Sequence, residues 1–179
     1  YFTCYINTII LGGGSFKNKA WVDQLEKEFQ PEIPAKLVYW DSWTTGEDAV
    51  INFPKETSKA LELIGDQPFD MIAKSVGSYI GLGVIEQTGK QVRKLIICGI
   101  PLKDFSAEEI EEGYQILASL KAENVICFEN ENDPHGSFEE VKAFLSKINP
   151  AIPIVKKTGE FSETHNYPYY QDFKKFLLN

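Results

Sequence analysis

Histidine is nearly absent from this chain. Among 179 residues there are two, His135 and His165, so any imidazole chemistry has to use one or both. Cysteine is scarce and odd in number, at Cys4, Cys98 and Cys127. With no close pair among them, the spacing argues against a disulfide framework or a zinc site. Cys98 and Cys127 fall in apolar runs and are expected to pack as small hydrophobes. Basic charge is in deficit: 18 Lys and Arg stand against 26 Asp and Glu, giving a net charge of −8 and a pI of about 4.9. Such a surface repels phosphate backbones and anionic headgroups, which sets nucleic acid and membrane aside as partners. No apolar run is long enough to span a bilayer, and no basic-apolar signal pattern is present. The expected location is therefore the cytoplasm. Tyr1 stands at the start in place of methionine, so this location is the one expected without a leader upstream. There is no internal repeat and no low-complexity segment.

What is present is an ordinary globular balance, 43% hydrophobic, in a chain long enough for one domain with a substantial core. Apolar runs alternate with amphipathic stretches. Strands are expected over Tyr5–Leu11, Ala35–Trp40, Phe69–Lys74, Lys94–Ile100, Asn124–Glu129 and Ile152–Lys156. Helices are expected over Lys19–Phe29, Pro54–Ile64, Val76–Gln87, Ala107–Leu120, Ser137–Ile148 and Tyr169–Leu178. Continuous runs such as Thr8-Ile9-Ile10-Leu11 suit strands covered on both faces. Pro54 and Ser106 are helix-start signals, and Leu61/Ile64 and Ile116/Leu120 are expected helix core stripes. Strict alternation predicts an α/β three-layer sandwich around a parallel sheet with right-handed crossovers. The acidic run Glu108-Glu109-Ile110-Glu111-Glu112 reads as a solvated helix face.

Ligands of open parallel sheets bind beyond the carboxyl ends of the strands, and the chemically useful residues follow strands. The third run leads into Ala73-Lys74-Ser75-Val76-Gly77, a strand-to-helix turn. A serine there projects its hydroxyl above the sheet, and the next helix aims N–H groups at any oxyanion formed beside it. Gly77 and Gly81, four apart, let that helix pack close. The plainer reading is a β-α turn with Ser75 as helix cap. The first run leads into Gly12-Gly13-Gly14-Ser15, where backbone can approach a ligand. A dinucleotide-binding Gly-x-Gly-x-x-Gly would need glycine at Lys17, so that reading is poorly met.

Ala73 to Gly77 resembles the nucleophile elbow Gly-x-Ser-x-Gly of the α/β-hydrolase family, with Ala73 replacing the first glycine. The resemblance extends over the whole chain, in the order glycine loop, serine turn, acid turn and late histidine. It implies a minimal α/β-hydrolase fold with six parallel strands in the order 2-1-3-4-5-6, without the N-terminal hairpin of larger members and without a cap domain. By the family's Ser…Asp…His order, Ser75 is the implied nucleophile, His165 the base and Asp133 the acid. Asp133 is chosen in Glu129-Asn130-Glu131-Asn132-Asp133-Pro134-His135-Gly136 because Pro134 and a helix near Ser137 follow it; Glu129 and Glu131 are substitutes if the strand ends earlier. His135 is too near Asp133 in sequence for easy in-line pairing. Aligning the glycine loop with the family's His-Gly-x gives Gly14, with Gly13 next, as one oxyanion donor and Val76 as the other. Lys74 is expected as a solvated charge. Trp43 and Tyr167 are expected to line the substrate site, with Phe105 a further candidate and Tyr39 and Trp40 better suited to the core.

These readings imply a serine hydrolase for small esters, thioesters or amides, needing no cofactor and no metal, with a small-molecule ester as its partner. Two other classes stay open. One is an inactive binding protein on the same fold, which the Ala73 departure favours. The other is a flavodoxin-like or nucleotide-binding domain, whose sheet core is shared.

Overall fold

The apolar, β-branched runs do pair as strands, and the amphipathic stretches between them do coil. The computed structural model describes residues 6–45, 50–89 and 91–179; Tyr5, the expected start of the first strand, and Cys4 lie outside them. The elements are β1 (Asn7–Leu11), α1 (Asn18–Phe29), β2 (Ala35–Val38), α2 (Ser42–Thr45), α3 (Phe53–Ile64), β3 (Phe69–Lys74), α4 (Val76–Gln87), β4 (Val92–Cys98), α5 (Ala107–Tyr114), β5 (Val125–Asn130), α6 (Phe138–Ile148), β6 (Ile154–Lys157) and α7 (Tyr170–Leu178). Two short 3₁₀ turns, Gln115–Ser119 and Ala122–Asn124, join α5 to β5.

The sheet order is β2-β1-β3-β4-β5-β6, and every pair is parallel. Right-handed crossovers send the chain to one face when it moves left and to the other when it moves right. Accordingly α1 packs with α7, while α3, α4 and α5 pack with one another on the far side. β3 is buried at all six positions, as a central strand covered by both layers must be. Burying each Ile or Leu such as Ile10, Ile72 or Ile96 contributes roughly 1.5–3 kcal/mol.

Several boundaries move for physical reasons. β4 stops at Cys98 because Gly99 takes φ +63. β6 begins after Pro153, which has no N–H to donate to the ladder. The helix expected over Ala107–Leu120 tightens to 3₁₀ after Tyr114. Its buried stripe is consequently Ile110, Tyr114 and Leu117, while Ile116 and Leu120 are only half-buried, as is Leu61 on α3. Ser106 caps α5 and Ser137 caps α6, each with a reciprocal capping box to Glu109 and Glu140. Pro54 sits second in α3, after Phe53, and the cap is Asn52, whose side chain accepts from the Lys55 N–H.

Gly77 fixes how α4 meets the sheet. A Cβ there would come within 2.4 Å of the Gly12 carbonyl oxygen and 2.8 Å of the Leu11 oxygen. One turn on, a Cβ on Gly81 would press on the Met71 sulfur. The helix therefore starts in contact with the end of β1, which places the serine turn beside the glycine loop.

Candidate active site

Ser75 links β3 to α4 with φ 55 and ψ −131, the one positive φ outside glycine among the described residues. It makes no side-chain cap to α4, so the plainer reading as an ordinary helix cap does not hold. Its N–H donates to the Cys98 carbonyl (3.0 Å), and its carbonyl accepts from the Ser78 N–H (2.8 Å) and hydroxyl (2.6 Å). The strained turn is thus held on both sides. Ala73 is accommodated: its methyl is buried, and even a Cβ added at Gly81 of α4 would lie 3.5 Å from it.

The glycine loop after β1 is braced from behind. The Trp40 indole N–H donates to the Gly12 carbonyl (3.0 Å), and the Trp43 indole N–H to the Gly14 carbonyl (3.1 Å). With these carbonyls tied back, the N–H groups of Gly13, Gly14 and Val76 have no partner among the described residues. Gly14 and Val76 are neighbours; a Cβ on Gly14 would sit 3.5 Å from a Val76 methyl. The two expected oxyanion donors therefore belong to adjoining residues. Trp43 is only 8% exposed and serves here as support for the loop, with Trp40 behind it. Tyr39, expected in the core, is exposed and hydrogen-bonds Asp23, which pushes its hydroxyl up to about 12.

Lys74 corrects an expectation. It is buried rather than solvated, with Nζ 2.7 Å from Asn18 Oδ1 and 5.4 Å from the centre of the Trp21 ring. Desolvation lowers its pKa, opposed by Cys98 and Asp133. Asn18 in turn packs against Gly12 and Gly13 and donates to the Ser15 carbonyl. Nothing in the sequence sets Asn18 apart from any polar residue in a first helical turn.

His165 reaches the same rim on the loop before α7. The amide of Asn130, at the end of β5, donates to the carbonyls of Thr164 (2.8 Å) and Asn166 (2.9 Å), bracketing the histidine. Its Nδ1 lies 2.7 Å from Asp133 Oδ2. A carboxylate accepts, so Nδ1 carries the hydrogen and Nε2 is left as the acceptor. Nε2 is buried and has no partner among the described residues, so no hydrogen bond joins it to Ser75. The two sit against the same strand end. Cys98 holds the Ser75 N–H, and a Cβ on the next residue, Gly99, would come 2.9 Å from His165 Cε1. Burial lowers the His165 pKa from its ordinary value, and the bond and charge of Asp133 only partly restore it.

Asp133 is the carboxylate that pairs with this imidazole. Glu131 instead bonds Lys156 at the surface (3.2 Å). Glu129 is fully buried, its Oε2 accepting the Ile100 N–H (3.1 Å) and its Oε1 in contact with the Tyr167 hydroxyl. Tyr167, expected beside a substrate, is also fully buried; its hydroxyl lies 2.5 Å from Asp133 Oδ2. It cannot line a pocket, because its polar end is turned into the carboxylates. Phe105 is half-buried and stacks on Tyr79, ring centres 4.6 Å apart. His135 donates its backbone N–H to Asp133 Oδ1 (2.8 Å), pairs its Nδ1 with Asp104 and lays its ring 4.1 Å from that of His165. This tilted ring contact depends on two loops meeting, where the Lys103 N–H donates to the His135 carbonyl, and local sequence carries no sign of it.

No protein-family model matches the sequence, and no curated protein does. Solved structures do match. The lidless α/β serine hydrolase XC6422 from Xanthomonas campestris superposes with a TM-score of 0.65 at 13% identity, over 96% of this chain and 78% of that one. MGS-M2, an α/β-hydrolase enzyme from a Medee basin deep-sea metagenome library, gives 0.65 at 11% identity, over 100% and 91%. Naproxen esterase from Bacillus subtilis gives 0.61 at 9% identity, over 98% and 84%. Identities this low speak to architecture alone, and on architecture they agree with the strand order and the flanking helices: the chain has the α/β-hydrolase fold.

Proposed function

We propose that this chain is a serine hydrolase that cleaves small carboxylic esters through an acyl-enzyme on Ser75, with His165 as base and Asp133 as acid. The observation that carries the reading is the Asp133–His165 hydrogen bond, whose outer nitrogen is left unpartnered against the strand end that also holds the strained serine turn. Catalytic contacts are often long before substrate arrives and shorten in the complex. The esterases and hydrolases among the structural neighbours support the same reading.

In this scheme the Ser75 hydroxyl attacks the ester carbonyl carbon while His165 Nε2 takes its proton. The C–O bond to the alcohol then breaks, and the imidazolium returns the proton to the leaving oxygen. Water, deprotonated by the same nitrogen, releases the acid and restores Ser75. Asp133 keeps the tautomer and stabilises the imidazolium. Gly14 and Val76 N–H groups receive the oxyanion, with Gly13 as a further donor; one such donor is typically worth about 2.7–4 kcal/mol in the barrier. Thioesters and amides would use the same groups. The connection from β4 to β5 holds one helix and two short turns and adds no cap, which suits small or exposed esters. No cofactor or metal enters the scheme.

A panel of p-nitrophenyl esters of increasing acyl length tests the reading. Wild type should turn over the shorter esters, and Ser75→Ala and His165→Ala should each lose about a thousandfold or more in kcat. Equal rates for all three proteins would reject it.

A further inference from the structure

Behind the Asp133–His165 pair lies a second buried carboxyl that the proposed reaction does not use. Tyr167 Oη touches Glu129 Oε1 on one side and Asp133 Oδ2 on the other, and it also accepts the Asn130 N–H (3.3 Å). Asp133 accepts from His165 Nδ1–H and Tyr167 O–H on Oδ2 and from the His135 N–H on Oδ1. That is the pattern of an ionised carboxylate. A phenol has one proton. Given to Asp133, it leaves the Glu129–Tyr167 contact as oxygen against oxygen, unless Glu129 brings a proton of its own.

We infer that Glu129 is a neutral carboxylic acid and a positioning residue: its O–H donates to Tyr167 Oη, which fixes the Tyr167 O–H on Asp133 and so orients the acid behind His165. The surroundings agree. In contact with Glu129 are Tyr167 and the Ile100 N–H; Asp133, Cys98, Cys127, Tyr114 and Tyr169 are the titratable groups within electrostatic reach. None of these is a cation; the buried lysine of the region, Lys74, faces Asn18, and Lys156, the register partner of Glu129 on β6, turns its ammonium to Glu131 and Glu139. Burial and the neighbouring Asp133 both push the Glu129 carboxyl well up, beyond what its hydrogen bonds restore. Loss of the phenol would leave Asp133 a stronger acceptor, favour the imidazolium and raise the pH at which His165 titrates.

The positioning role rests on the Asp133–His165 reading above, but its tests do not need turnover. Infrared spectra of wild type and Glu129→Gln at neutral pH should differ by one protonated-carboxyl carbonyl band, present only in wild type. Glutamine can donate to Tyr167 and accept from Ile100 as the acid does, so this variant should keep the wild-type His165 titration. Proton NMR follows both histidines, with His135→Asn giving the assignment. In Tyr167→Phe the His165 midpoint should rise by about one pH unit, the scale of one hydrogen bond to a charged group. Absence of the difference band overturns the neutral acid, and an unmoved His165 midpoint in Tyr167→Phe overturns the positioning role. A protein inert toward esters that nevertheless gives both signals would reject the proposed reaction and leave this inference standing.

Discussion

At Ser75 a side chain is held where glycine is preferred, with φ 55 and ψ −131. Such strain costs about 1–3 kcal/mol and persists where the surroundings over-determine it. Ser75→Gly should therefore unfold in urea with a free energy about 1–3 kcal/mol higher than Ser75→Ala, both lacking the hydroxyl; equal stabilities would mean the turn is relaxed. His165 makes a second prediction. Its base form must be neutral, and burial lowers the pH at which it protonates. The acid limb of kcat/KM should accordingly lie below the imidazole's ordinary midpoint near 6.5; a limb above it would show the Asp133 charge outweighing burial. At this scale the sequence was informative where chemistry is scarce. Two histidines leave few choices, and the family resemblance implies Ser75, Asp133 and His165, of which Asp133 and His165 meet in a hydrogen bond. The burial of Lys74, the burial of Tyr167 and the pairing of His135 with Asp104 were not legible, because each is decided by a residue 30 or more positions away.

The elements carry those residues to one rim by close approach. Gly77 lets α4 begin against the end of β1, where a Cβ would meet the Gly12 carbonyl at 2.4 Å. Gly77→Ala should cost roughly 2–3 kcal/mol in chemical unfolding, since backbone, unlike a side-chain tip, cannot yield cheaply. It should also separate Gly14 from Val76. A variant as stable as wild type would mean that the helix start tolerates displacement. Element identity was legible because central strands are continuously apolar and helices are striped. Ends were less so: Gly99 and Pro153 cut strands that hydropathy alone would extend, and α2 is too short, at four residues, to show a period. In the sequence Trp40 suits the core and Trp43 a pocket wall, yet both indoles brace the glycine loop. That bracing depends on indole N–H direction, which composition does not encode.

For the whole molecule, the net charge of −8 sets a field that acts on substrates before they bind. Anionic esters should be repelled and neutral ones unaffected. For a p-nitrophenyl ester with a terminal carboxylate, kcat/KM should rise by about two- to tenfold from low to physiological ionic strength, while that of a neutral ester of equal length stays flat. A parallel response of both esters would locate the effect in the protein rather than in steering. Alternation and handedness predict a parallel sheet, and its strand order is what the family resemblance implies. Among the described residues no helix is long and apolar enough to cross a membrane. The proposed function stands on Ser75 being a nucleophile activated by His165, and active-site labelling tests that most directly. Mass spectrometry after treatment with a fluorophosphonate should find a single adduct on the peptide carrying Ser75 in wild type and none in Ser75→Ala, with labelling of His165→Ala slowed by about a hundredfold or more. An unlabelled wild type, or an adduct formed as fast without His165, would contradict it.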